Sequence, residues 1–302
     1  WPDDKSKFTL DFIFPISFAL QKFPQGFIGK DNYLLPQLLD LIRNLLSKVE
    51  DRTIVDIGST LLIDFMNNLP NEFEIYAEKV AHILLSPDYP ESFVSTFKQI
   101  ITQNETVCKF VLRDIESLLT ILFEDKKDEK LMIFPQIISS LPSIPEKIVK
   151  KLKDPLLSLL YHPYINVRKK VPPALLAISK CLPSQVSAQI ITALISSATI
   201  EETVEMRLIV LNSFTEPYPS YLAYPNNLEY FSILIHDESF NVRRSAIKIL
   251  GGVVLKNPAM IYPMFRSILL DILFLLGASK SLRMKSEAIL CLPIIFSSVI
   301  PI

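Results

Sequence analysis

The residues able to do chemistry are few and scattered. Three histidines, His82, His162 and His236, stand far apart, and no Cys or His pair has metal-ligand spacing. The three cysteines, Cys108, Cys181 and Cys291, are odd in number and widely separated. That pattern fits a reducing compartment, with each thiol serving as a small apolar group. Gly251-Gly252 is the only glycine pair, and inside a helical stretch it serves close packing rather than a phosphate. No nucleophile elbow, H-E-x-x-H or kinase catalytic loop occurs. The acidic pairs Asp3-Asp4 and Glu201-Glu202 sit in polar turns and read as solvated surface. No catalytic, metal-binding or cofactor-binding residue is therefore expected, and no cofactor.

What remains is a recurring cation. The stretch His236-Asp237-Glu238-Ser239-Phe240-Asn241-Val242-Arg243-Arg244 nearly repeats His162-Pro163-Tyr164-Ile165-Asn166-Val167-Arg168-Lys169-Lys170. Weaker copies are Met206-Arg207 and Met284-Lys285. On this pattern His162 and His236 are equivalent turn positions. A basic residue in the first turn of a helix opposes the helix dipole, so it must find a partner. An acidic side chain or the carbonyl ends of an adjacent turn would serve. Repeated along the chain, this predicts a ladder of charge-assisted hydrogen bonds built from Arg168, Arg207, Asp237, Arg243 and Lys285. Asp237 is the natural acceptor for Arg207 or Arg243, and both pairings are open. The competing reading is a row of exposed cations without fixed partners.

The elements that position such a ladder follow from its period. The hydrophobic-basic anchors at 167, 206, 242 and 284 are 39, 36 and 42 residues apart. Val55, Val94 and Ile133 extend the period upstream at intervals of 39. A period near 40 with helical signals and no strand alternation marks HEAT or armadillo repeats. The fold class is therefore all-α: a right-handed superhelix of stacked helix pairs. Each pair cannot bury its apolar face alone and must stack on its neighbours. Only six glycines but 22 prolines are present, so proline supplies most of the punctuation. Val242, Ala246, Ile249, Leu250 and Val253 lie on one helical face. Asn257-Pro258 starts the next helix, whose stripe runs from Ile261 through Phe265, Ile268, Ile272 and Leu273 to Leu276. Gly277 is placed to stop it, and another helix begins near Leu282. Upstream helices are expected over Tyr33 to Val49, Thr53 to Asn68, Phe73 to Leu85, Ser92 to Gln103, Glu105 to Phe123 and Lys130 to Leu141. The charged run Glu124 to Lys130 reads as a turn between repeats. Residues 1–30, with Phe12, Phe14, Phe18, Phe23 and Phe27, read either as a partial first repeat or as an edge severed from its neighbour. The whole of 1–302 is read as one array of about seven helix pairs, cut at both ends from a longer protein.

Composition agrees. The chain has 302 residues, 49% of them hydrophobic and 21% charged, ample for a long apolar seam. A formal net charge of −1 gives no reason to expect nucleic acid as a partner. Mean hydropathy is +0.32, high enough to raise the question of a membrane span. The segment Ala288 to Ile302 is uncharged but short and broken by Pro293, and Ile268 to Leu276 carries Asp271. Inner solenoid helices account for both.

At the C-terminal repeats the residues go beyond a generic pattern. The order Asp237-Glu238-Ser239-Phe240-Asn241-Val242-Arg243, Ala246-Ile247, Gly251, Asn257-Pro258-Ala259, Pro263 and Arg266 resembles the N-terminal HEAT region of the target-of-rapamycin (TOR) protein kinases. The resemblance covers residues 190–302, about a third of the chain. It is specific at Asn257, Pro258, Ala259, Pro263 and Arg266. Gly252 departs from it, standing where that family usually has Arg. The resemblance implies a large Ser/Thr kinase as parent, with its catalytic domain far downstream. It further implies a scaffold segment that binds a raptor-type regulatory subunit and contributes to self-association in nutrient and growth signalling. Such a protein would be cytoplasmic, reaching lysosomal or vacuolar membranes only through the parent complex. A free-standing adaptor (transport receptor, phosphatase scaffold or coat subunit) uses the same stacked-helix physics and stays open.

Overall fold

The computed structural model describes residues 10–28, 34–47, 52–85, 91–125 and 128–299, and every regular element among them is a helix. Asp3-Asp4, Lys126-Lys127 of the charged run, and the terminal Ile300-Pro301-Ile302 lie outside the described residues. The chain divides into two compact units, residues 1–148 and 149–302.

Unit 1 contains α1 (Leu10–Lys22), α2 (Leu34–Leu46), α3 (Arg52–Asn68), α4 (Pro70–Ile75), α5 (Ala77–Leu84), α6 (Val94–Gln103), α7 (Glu105–Asp125) and α8 (Asp128–Ser140). One row stacks α1 on α3, α3 on α6 and α6 on α8; the other stacks α2 on α5 and α5 on α7. Val55, Val94 and Ile133 fall on α3, α6 and α8, so the interval of 39 residues is one layer of the stack. The expected helix over Phe73 to Leu85 is two: Tyr76 interrupts it, and Pro70 begins the first. Gly58 lets α2 and α3 approach closely, since a Cβ there would stand 3.1 Å from the Cβ of Leu45. Phe65 and Phe73, both buried, meet edge to face at 5.2 Å. The Phe-rich start forms α1 and a 3-10 turn, Pro24–Phe27, with Phe18 and Phe23 exposed against each other.

Unit 2 contains most of α9 (Glu146–Leu159), then α10 (Ile165–Ser179), α11 (Ser184–Ile200), α12 (Val204–Ser213), α13 (Pro225–Leu234), α14 (Phe240–Val253), α15 (Pro258–Ala278) and α16 (Leu282–Val299). Helices α10, α12, α14 and α16 stack in one row, and α11, α13 and α15 in the other. The apolar anchors Val167, Met206 and Val242 are buried at equivalent places in the first row, as are Val171, Val210 and Ala246 four residues on. All five apolar residues assigned to the α14 face are buried.

The last layer departs from this scheme. Met284, the fourth anchor of the period, is 45% exposed. The α15 stripe is buried at Ile261, Phe265, Ile268 and Ile272, but Leu273 is exposed. Gly277 does not stop α15, which runs on to Ala278 and ends where Ser279 turns extended. Among the described residues α15 is the helix long and apolar enough to cross a membrane, and it carries Asp271 within its length. Helices α13 and α16 cover part of it; Leu270 and Phe274 face outward.

Candidate functional site

The predicted ladder residues are brought together in unit 2 by the turns that lead into α10, α12 and α14. Each turn leaves backbone carbonyls without helical partners. The Arg in the first turn of the following helix folds back over them. Arg168 Nη1 donates to the carbonyls of His162 (2.8 Å) and Pro163 (3.0 Å). Arg207 Nη1 donates to those of Glu201 (3.0 Å) and Glu202 (3.2 Å). Arg243 Nη1 donates to those of Asp237 (2.7 Å) and Glu238 (3.1 Å). The offset of six and five residues recurs each time because the turn is the same.

This leaves the other edge of each guanidinium free to reach the next layer. Arg168 meets Glu201 in a two-pronged contact, Nη2 to Oε1 at 2.9 Å and Nε to Oε2 at 3.1 Å. Arg207 Nη2 donates to Asp237 Oδ1 at 3.3 Å and to Glu238 Oε1 at 3.0 Å, and its Nε lies 3.1 Å from Asp237 Oδ2. Asp237 Oδ1 also accepts the Ser239 backbone N–H at 2.8 Å, which fixes the carboxylate. Arg243 Nη2 reaches Glu287 Oε2 at 3.3 Å. The side chains of Arg207 and Asp237 are only 10% and 11% exposed, so this rung is the most sheltered from water. A planar guanidinium with five donors can hold a turn and a neighbouring carboxylate at once; an ammonium cannot.

This geometry answers one open question and corrects three expectations. Asp237 serves both candidate arginines: its carboxylate accepts from Arg207 and its carbonyl from Arg243. Lys285 makes no ion pair among the described residues; Glu287, two residues on, is the acceptor, because the turn before α16 is Ser279-Lys280-Ser281 and offers no carboxylate. Glu201 is not solvated surface but a half-buried acceptor, whereas Glu202 is exposed. His162 is equivalent to Asp237 rather than to His236, since both give their carbonyl to the Arg six positions ahead. The turns before α10 and α14 are equal in length; His236 stands one position earlier in its turn than His162 does, and it faces Asp271 on α15, Nε2 to Oδ2 at 3.6 Å.

The remaining singled-out residues lie around α15. Asn257 stands at the N-cap position without a side-chain capping bond; its Nδ2 donates instead to the Ala223 carbonyl at 2.9 Å, tying the start of this helix to the previous layer. Pro258 occupies the first helical turn, where a missing N–H costs nothing. Ala259 is exposed. Pro263 and Arg266 are exposed as well and line an apolar cleft of about 560 Å³ with Phe265 and Phe296. Gly252 packs against the ring of Tyr218, which a Cβ at 252 would strike. Burial pushes the Cys108 and Cys291 thiols up from their ordinary pKa. Among the described residues no cluster of three or more His, Cys, Asp or Glu is placed to hold a metal ion.

Comparison with known proteins bears on both the repeats and their origin. No family model matches the chain. It is 29% identical over 110 residues to the Serine/threonine-protein kinase tor1 of Schizosaccharomyces pombe, covering 36% of this chain and 5% of that protein. It is 31% identical over 101 residues to Serine/threonine-protein kinase TOR2 of Saccharomyces cerevisiae, covering 33% and 4%. It is 30% identical over 110 residues to mTor of Drosophila melanogaster, covering 36% and 4%. Over about a third of its length the chain is similar to the TOR kinases. The chain spans about a twentieth of the curated relatives it matches. Among solved structures, the karyopherin Kap121p bound to Pho4p superposes with a TM-score of 0.68 at 15% identity, over 94% of this chain and 31% of that one. That likeness establishes the fold: a HEAT or armadillo solenoid.

Proposed function

We propose that the chain is a non-catalytic scaffold segment of a TOR-like Ser/Thr protein kinase, holding other subunits on its stacked helices. The observation that carries this reading is the identity near 30% shared with TOR kinases of two yeasts and a fly. Rigid layers joined by arginine rungs suit the role, because a fixed array presents a surface without losing order on binding. A raptor-type regulatory subunit is the protein partner expected of such a segment, alongside self-association within the parent complex. Nutrient and growth signalling in the cytoplasm follows from the same reading, with contact to lysosomal or vacuolar membranes made through that complex.

The test has two arms. The complete transcript should encode a kinase domain far downstream of Ile302, and the full-length product should co-elute with the raptor-type subunit of its own organism. A full-length product without a kinase domain, or one that fails to bind that subunit while a transport cargo does bind, would replace this reading with that of a free-standing adaptor.

A further inference from the structure

Unit 2 carries a second surface that neither the ladder nor the kinase similarity accounts for. Helix α14 forms the floor of a groove of about 720 Å³, walled by α12 on one side and α16 on the other. The floor presents Asn241, Arg244, Ser245 and Lys248. Asn212 stands on the α12 wall, where its Oδ1 accepts from Ser245 Oγ at 3.2 Å. Arg244 and Lys248 are exposed, and among the described residues neither has a carboxylate at ion-pair distance. The neighbouring Arg243 shows the contrast: its guanidinium is taken up by Asp237, Glu238 and Glu287. Two like charges four residues apart on one helix repel each other and weaken it slightly, a cost that an acidic ligand would remove.

We infer that this groove binds an extended peptide carrying acidic side chains at alternate positions. The geometry sets the spacing. Four residues along a helix rise about 6 Å, and positions i and i+2 of an extended chain are about 6.6 Å apart on the same face. A Glu or Asp at i can therefore meet Arg244 while another at i+2 meets Lys248. The floor from Asn241 to Gly252 rises about 16 Å, the length of roughly five extended residues. Asn241, Asn212 and Ser245 supply uncharged donors and acceptors suited to peptide N–H and C=O groups. Glu216 also lines the groove. It also shares a smaller cleft with Asn212, Ser245 and Lys248, which places it at the Lys248 half of the groove rather than at Arg244. A negative charge there disfavours a uniform polyanion such as nucleic acid and gives the peptide a direction. The inference is independent of the proposed function and holds for a kinase scaffold or a free adaptor alike.

The test uses the intact chain and labelled synthetic peptides, read by fluorescence anisotropy at low and high salt. The probes are a peptide with Glu at alternate positions, its Gln counterpart, a Glu peptide with the acids placed at adjacent positions, and a single-stranded oligothymidylate. The alternating Glu peptide should bind, weaken with salt, and exceed the Gln and adjacent-acid peptides by about tenfold. Arg244→Glu and Lys248→Glu should each abolish binding with melting and circular dichroism unchanged, and the milder Arg244→Gln should weaken it. Equal binding of the Glu and Gln peptides, retained binding by a folded charge-reversal variant, or preference for the oligonucleotide would overturn the assignment.

Discussion

At the scale of single residues, each arginine of the ladder does two things, and the two can be separated by substitution. Arg207→Ala leaves the sheltered carboxylate of Asp237 and two turn carbonyls short of a donor. It should cost about 1–3 kcal/mol, seen as a lower denaturant midpoint. Arg207→Lys should recover only part, because one ammonium cannot reach both the turn and the next layer. Arg283, highly exposed while paired with Glu287, is the control, and Arg283→Ala should be indistinguishable from the parent chain. Gly252 tests packing rather than charge. Gly252→Ala drives a methyl group into the Tyr218 ring and should cost about 1–3 kcal/mol. Combining it with Tyr218→Ala should remove most of that clash, so the two effects should be far from additive.

Some of these residues were visible in the sequence and others were not, for physical reasons. The Val-Arg and Met-Arg recurrence is legible because one turn geometry demands the same residue at the same offset. The acceptors were harder to see. Glu201 looks like part of a solvated pair until its place six residues before Arg207 is noticed, the same place that Asp237 holds before Arg243. Lys285 looked like a fourth rung by spacing alone, but the layer it starts lacks an acidic turn. Gly252 against Tyr218, and the cations lining the groove over α14, join segments that share no pattern in sequence. Only packing brings them together.

At the scale of elements, stability resides in the faces where rows stack. Ala246 is fully buried between α14 and its neighbours. Ala246→Asp places a charge there without a partner and should cost more than any rung substitution, to the point of melting unit 2 in a thermal scan. Asn257→Ala should be milder, about 1 kcal/mol, because it removes the single bond from the start of α15 to the Ala223 carbonyl. Proline was a partial guide to helix boundaries: Pro258 marks the start of α15 as expected, but the helix expected from Phe73 begins at Pro70, and Pro135, Pro155, Pro172, Pro173 and Pro293 lie inside helices rather than at their boundaries. The split at Tyr76 and the continuation through Gly277 were not legible, since neither carries a local signal strong enough to override the apolar period. Cys108 and Cys291 report on two of these faces. Burial disfavours their thiolates, so both should resist alkylation at neutral pH and react at the ordinary rate once the chain is unfolded.

At the scale of the molecule, the period of about forty residues translated directly into layers, because a helix pair with one apolar side has no other way to leave water. The solenoid class was therefore the most legible feature of all. The exposed anchor Met284 and the outward-facing Leu273 and Phe274 show where the regular scheme gives way in the last described layer. If stability is a sum over adjacent layers, damage must spread from layer to layer rather than through the whole unit at once. Hydrogen exchange on the Arg207→Ala chain measures this most directly. The account predicts lost protection in α12 and α14, fading in α10 and α16. A uniform loss across unit 2, or no change at α14, would contradict the picture of layers tied by arginine rungs.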